Sequence, residues 1–333
     1  MKWSESADYG FAIGRVRALE PLLFDRLRYE RLAGAADPRE FTSQMIDAGY
    51  NRFTGQGVGT NNAEELLATA RDENDAFLVR YCRLPEVHTL FFLADDLSRL
   101  KVLLKQETTL QQSPRAVSHK PRGIWSPEQL HALASADGDA KPHELRLAVS
   151  RLLSNGEPAA PRTIDTALDV AAQRYLARVV EGLPFLRGLL ALRSDVANLL
   201  ALVRSKVLDE PTTDLVAEFL PGGQLDQRRL LEAHRADWDG LVATFRDTRY
   251  SEVVAAGVEF LREQRSLVRM ERLAREEEIH FLRQTRYVSA GYEPVVAFCL
   301  QREAEITNLR LLYAAKLTGI TAELCRELVA YVN

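Results

Sequence analysis

The 333-residue sequence is short of several things, and each shortage excludes something. It has three cysteines, Cys82, Cys299 and Cys325, with no CxxC among them. An odd number cannot form a complete disulfide framework, which points to a reducing compartment. No apolar run approaches the roughly 20 residues needed to cross a bilayer. The longest, around Leu90–Ala94 and Leu186–Leu192, are broken by charge within two turns. The opening "MKWSESADYGFAIGRVRALE" lacks the uninterrupted apolar core of a signal peptide. Basic excess is missing too: a net charge of −4 gives no reason to expect nucleic acid as a partner. There is no GxxxxGK(S/T), and the "GQGVG" of Gly55–Gly59 follows no buried strand and opens no phosphate-binding helix. GxSxG, HExxH and a cysteine beside a plausible base are also missing. Runs of β-branched residues with strict alternation are almost absent, which argues against a sheet protein.

What is present is helical periodicity. Residues 5–33, 61–82, 86–107, 163–181, 186–208, 226–236, 250–286, 293–318 and 322–332 all carry an amphipathic stripe. Further starts are marked by Asp37-Pro38, Ser126-Pro127 and Pro161-Arg162-Thr163, and Gly319 marks a stop. Connections fall at 54–62, 108–123, 134–143 and 154–162. With 46% hydrophobic residues the chain can bury a sizeable core, and the expected fold class is all-α.

Three segments repeat one order of residues: "DLSRLKVLLK", "DVANLLALVR" and "EITNLRLLYA". Each opens on an acid, Asp96, Asp195 or Glu305. Three residues on come Arg99, Asn198 and Asn308. A leucine seam follows: Leu100, Leu199 and Leu309, then Leu103, Leu202 and Leu312. The next position holds Leu104, Val203 or Tyr313. These offsets share one helix face. A glycine and a fresh helix start follow each copy, at Gly123, Gly223 and Gly319. The acids are 99 and 110 residues apart and the glycines 100 and 96, so a unit recurs about every hundred residues. A buried polar group without a partner costs about 1–3 kcal/mol. Asp96, Arg99, Asp195, Asn198, Glu305 and Asn308 are therefore expected to act as polar ties between helices or modules.

Two ExxH pairs, Glu128/His131 and Glu277/His280, have the spacing of di-metal carboxylate bundles, but no pair of bridging glutamates stands out. The second pair lies in "REEEIH", which has the pattern of a solvated charged face. The loop 108–123 carries Arg115, His119, Lys120 and Arg122 and could reach an acidic partner or anionic lipid. Arg15, Arg17, Arg26, Arg28 and Arg31 are interleaved with Glu20, Asp25 and Glu30, the mixture of an exposed helix face.

The stretch "GYEPVVAFCLQREAEITNLRLLYAAKLTGIT", Gly291 to Thr321, resembles the signature of the C subunits of V-type (archaeal and bacterial) ATP synthases, whose eukaryotic counterpart is the V-ATPase d subunit. "YGFAIGRVRALEPLL" with "DAGY" at Asp47–Tyr50 resembles that family's opening. "LFFLADDLSRLKVLLK" and "FLPGGQLDQRRLLE" carry the resemblance over essentially the whole chain. Arg99, where Asn recurs in the other copies, and the 162–183 region depart from the pattern.

The resemblance implies an all-α funnel-shaped socket of three pseudo-symmetric helical modules. They would span approximately 60–160, 161–264, and 265–333 completed by 1–59, within one V-type ATPase C/d-type domain over 1–333. It further implies a non-catalytic central-stalk component of the rotor, one copy per complex. This component would be peripheral on the cytoplasmic face of the membrane, between the D and F shaft subunits and the proteolipid ring, whose ion is a proton or sodium. Catalytic sites would lie on other subunits, and no cofactor or metal is expected. The alternatives are an all-α interaction scaffold outside any motor and a di-metal carboxylate enzyme.

Overall fold

The computed structural model describes residues 9–50, 62–108, 122–154 and 159–331. Sixteen α-helices and no strand occur among them. In chain order they begin with α1 (Gly10–Leu19), α2 (Arg26–Ala33), α3 (Pro38–Asp47) and α4 (Ala63–Tyr81). Then come α5 (Pro85–Thr108), α6 (Pro127–Ala134), α7 (His143–Ser154) and α8 (Pro161–Val179). Next are α9 (Pro184–Val207), α10 (Thr212–Glu218), α11 (Gln227–Arg235) and α12 (Trp238–Thr244). Last are α13 (Ser251–Gln264), α14 (Val268–Arg283), α15 (Glu293–Leu317) and α16 (Ala322–Leu328). Single 3₁₀ turns occupy Glu20–Leu22 and Gln284–Tyr287. No described helix is long and apolar enough to cross a membrane.

The chain forms two compact units, Met1–Arg83 with Phe245–Asn333, and Leu84–Thr244. In the first, α15 is the central rod and packs on α1, α3, α4, α14 and α16. Its Ile306, Leu309 and Leu312 enter a core with Phe24, Tyr29, Phe41, Met45 and Tyr50. In the second unit α5 packs on α6 and α8, while α9 packs on α8, α10 and α11. Leu100 and Leu104 of α5 meet Leu130, Leu133, Leu145 and Leu168.

Capping chemistry sets several boundaries. The Asp25, Asp37 and Asp226 carboxylates each accept a first-turn amide of the helix they precede. Ser126 and Gln129 form a reciprocal capping box with Pro127 in the first turn. Two long periodic stretches nevertheless break. The expected 5–33 helix, described from Tyr9, is interrupted at Leu22–Asp25 after Pro21. There the Phe24 amide is claimed by Glu305 instead of by a carbonyl one turn back. The expected 250–286 helix splits at Arg265, which adopts a left-handed conformation with φ of 54°. The last stripe, 322–332, ends as helix at Leu328, and Val329 is extended. The helices α7, α10 and α12 lie outside the periodic stretches, and α10 and α12 have only seven residues each. The "GQGVG" stretch and Arg115, His119 and Lys120 lie outside the described residues.

Candidate functional site: three buried acid ties

Each acid of the repeat lies on a long helix with its side chain turned inward. Asp96 on α5 and Asp195 on α9 are fully buried, and Glu305 on α15 is nearly so. Burying a carboxylate is costly unless hydrogen bonds replace its water. Asp96 Oδ2 accepts the backbone amides of Ile124 and Trp125 at 2.7 and 3.2 Å, and its Oδ1 accepts Arg99. Asp195 Oδ1 accepts the Leu225 amide at 2.9 Å. Glu305 Oε2 accepts the Phe24 amide at 2.5 Å, and Oε1 pairs with Arg302 at 3.1 Å. Burial pushes the Asp96 and Glu305 carboxyls above the usual carboxylate range, opposed by those amides and by Arg99 and Arg302.

One pattern recurs in the partners. Trp125, Leu225 and Phe24 each stand immediately before the N-cap residue of a short helix, namely Ser126, Asp226 and Asp25. The acid thus holds the chain where it turns into α6, α11 or α2. Five residues beyond each partner lie Leu130, Leu230 and Tyr29, all buried.

The second polar position makes a matching clasp. Asn198 donates from Nδ2 to the Leu220 carbonyl at 2.9 Å and accepts the Leu220 amide on Oδ1 at 2.7 Å. Asn308 does the same with Ala330, at 2.6 and 3.2 Å. Both clasped residues lie 22 positions on, just past a seven-residue helix, α10 or α16. A primary amide suits this task because it donates and accepts at once. Arg99 cannot accept. Its guanidinium instead donates both to Asp96 and to the Arg122 carbonyl, so one cation serves both ties.

Glycine placement follows from carboxylate length. A Cβ on Gly223 would lie 2.2 Å from Asp195 Oδ1, and one on Gly123 the same distance from Asp96 Oδ1. The backbone comes that close because aspartate is short. Glutamate reaches about 1.5 Å farther, one C–C bond, and the residue two before Phe24 is Leu22 rather than glycine. Gly319, which the sequence aligns with these two glycines, plays another part. A Cβ there meets nothing within 4 Å, and its φ of 70° serves the turn after α15. The counterpart of the Gly123 and Gly223 turns is the Leu22–Asp25 break near the other end of the chain.

Several residues escaped sequence reasoning. Phe24, Leu220 and Ala330 act through their backbones, which leave no side-chain signature. Arg302 carried a usable signal, a cation three residues before Glu305 on an otherwise apolar face. It is buried, with its guanidinium 5.3 Å from the Tyr50 ring centroid. Arg17 is not simply an exposed charge: it bonds Glu20 and the carbonyls of Thr285 and Val288. Arg122 is within 3.6 Å of Asp95 and lies over the Phe92 ring.

The "REEEIH" stretch is likewise half-buried, not a solvated face. Arg275 donates to the Leu328 carbonyl, and Glu276 pairs with Arg272 and accepts the Tyr331 amide. Glu277 is held by Arg249, while Glu128 accepts the Ser126 hydroxyl. No group of three or more histidine, cysteine, aspartate or glutamate side chains able to hold a metal occurs among the described residues.

The ties join helix to turn through hydrogen bonds and ion pairs. The model of the family described as ATP synthase (C/AC39) subunit matches residues 12–328, nearly the whole chain. No curated protein matches significantly. The chain belongs to the C/AC39 subunit family of V-type ATP synthases, a family of rotary-ATPase subunits.

Proposed function

We propose that this protein is a non-catalytic central-stalk subunit that couples a rotating shaft, built from the D and F subunits, to the membrane proteolipid ring. One copy would sit on the cytoplasmic face of the ring, with the ATP-hydrolysing sites on other subunits and protons or sodium ions passing through the membrane sector. Three modules, approximately 60–160, 161–264, and 265–333 completed by 1–59, would form the socket. The reading rests on the family match over residues 12–328. It is supported by one observation above all: the same acid tie occurs three times. In the last copy the acid on α15 is satisfied by Phe24 from the N-terminal segment, as a module completed by 1–59 requires.

A torque coupling must not yield between its helices. Densely packed interiors resist deformation, and satisfied buried polar groups fix one arrangement of the elements they join. Asp96, Arg99, Asp195, Asn198, Glu305 and Asn308 would provide that fixity by clamping each short helix to its long one. The test is assembly. Mixed with the D and F subunits of its own organism at micromolar concentration, the full chain is expected to co-elute as one complex in size-exclusion chromatography. Separate elution would instead favour a scaffold outside the motor.

A further inference from the structure

We propose that a groove in the second unit receives an acidic amphipathic helix of a partner protein, whose carboxylates pair with Arg151 and Arg174. The groove has a volume of about 820 Å³. Thr163, Ala167, Val170 and Arg174, on one face of α8, form its floor. One wall is α7, through Leu147 and Arg151, and the other is α10, through Asp214 and Glu218.

Both walls are pinned to the floor. Arg178 near the end of α8 binds Glu144 at the start of α7, at 2.8 and 3.0 Å. Arg162 at the start of α8 binds Glu218 at 2.7 Å and Glu210 at 2.8 Å. Those three carboxylates are therefore balanced by arginines. Arg151 and Arg174 are exposed, and neither makes a hydrogen bond or ion pair with another described residue. Asp214, the remaining acid among the described lining residues, lies in the first turn of α10 and accepts the Thr213 hydroxyl. An occupant thus meets free positive charge along α7 and α8, and negative charge only at α10.

The spacing of the two cations suits a helix. The Glu144–Arg178 contact joins the start of α7 to the end of α8, so the two run antiparallel. It sets Arg151 level with Ala171, three residues from Arg174 and about 4.5 Å from it along the axis. Carboxylates three or four residues apart on one helix have a similar separation, and arginine forks bind carboxylates in a fixed geometry. The apolar contact comes from Leu147, 37% exposed, and from Ala167 and Val170, both half-buried. From Thr163 to Arg174 the floor runs about 17 Å, three helical turns, and it is open along its length. A small-molecule site would enclose its ligand, and a bilayer would need a continuous apolar face without walls. A walled, open trough with an apolar floor is the form that takes a helix. None of these residues belongs to the six ties, and binding here does not depend on assembly with D and F.

The experiment is fluorescence anisotropy on the full chain with a labelled alanine-rich helical peptide of about 18 residues. It carries a leucine stripe flanked by glutamates at i and i+4. Companion peptides have glutamine or lysine in place of glutamate, and phosphatidylglycerol vesicles serve as the membrane control. Saturable binding to the glutamate peptide is expected, with the glutamine peptide about tenfold weaker. Arg151→Glu and Arg174→Glu should each cost about tenfold, and the double variant should prefer the lysine peptide. Leu147→Ser should weaken binding by about threefold. Unchanged circular dichroism melting shows that the variants fold. Absence of saturable binding up to about 1 mM overturns the proposal, as does equal affinity of the double variant for the glutamate peptide. Self-association of the chain or binding of the vesicles that the double variant abolishes, with no binding of the peptide, overturns it equally.

Discussion

Asn308 and Asn198 make the same two bonds in different surroundings, and their substitution should separate the cost of a lost bond from that of an abandoned partner. Ala330, clasped by Asn308, is buried, whereas Leu220, clasped by Asn198, is half-buried. Asn308→Ala leaves a buried amide and a buried carbonyl unpaired at about 1–3 kcal/mol each. Water can replace Asn198 more readily, so Asn198→Ala should cost about 1 kcal/mol. Urea denaturation monitored by circular dichroism gives both values, and an equal loss would show that burial does not set the difference.

Asp96 offers a test of sign. Burial raises its carboxyl above the ordinary 3.8, so the folded chain holds this proton more tightly than the unfolded chain. Its contribution to stability is then full below the ordinary value and is lost as pH rises through the raised one. Asp96→Asn keeps an oxygen for the Ile124 and Trp125 amides and removes the titration. The stability of the wild-type chain relative to Asp96→Asn should therefore fall as pH rises above the ordinary 3.8, and a rise would overturn the assignment.

At the scale of elements, much was legible. The long helices α4, α5, α8, α9 and α15 follow their apolar stripes to within about two residues, the usual uncertainty of helix ends. The acids stood out because a charge beside a leucine seam needs a physical reason. What was not legible depends on partners far away in sequence. The stripe through 5–33 continues across Leu22–Asp25; Pro21 and the Asp25 cap mark a break locally, but the claim of Glu305 on the Phe24 amide, 281 positions away, is not visible in the stripe. Likewise α10 and α12 are two turns long, too short for a period to register.

Gly319 shares its place in the repeat with Gly123 and Gly223, yet their surroundings differ and so should their tolerance. Gly223→Ala drives a methyl into Asp195 and should cost about 1–3 kcal/mol through overpacking. Gly319→Ala meets open space and bears only the strain of a positive φ, about 1 kcal/mol. Chemical denaturation of the two variants ranks them. A costlier change at Gly319 would mean that Gly223 is not held against the acid.

For the whole molecule, the ties bring different parts of the sequence into each compact unit. In the second unit both tie partners lie within about thirty residues of the acid, because α9 runs on through α10 to α11. In the first unit α15 gathers partners from both ends of the chain: Phe24 through Glu305, and Ala330 through Asn308. The extended C-terminal segment is fixed again by Glu276 at the Tyr331 amide, and the Tyr331 ring stacks on Tyr29 at 6.4 Å. Local opening spreads through groups that share buried contacts and stops where those contacts end. Loss of the Asn308 clasp should therefore be felt on α2, α15 and α16, which share one core, and not on α9 to α11. Hydrogen exchange read by mass spectrometry on Asn308→Ala is expected to show faster exchange in the first set and unchanged protection in the second. Faster exchange spread evenly through both units would mean that the chain opens as one cooperative body, and that the ties do not act unit by unit.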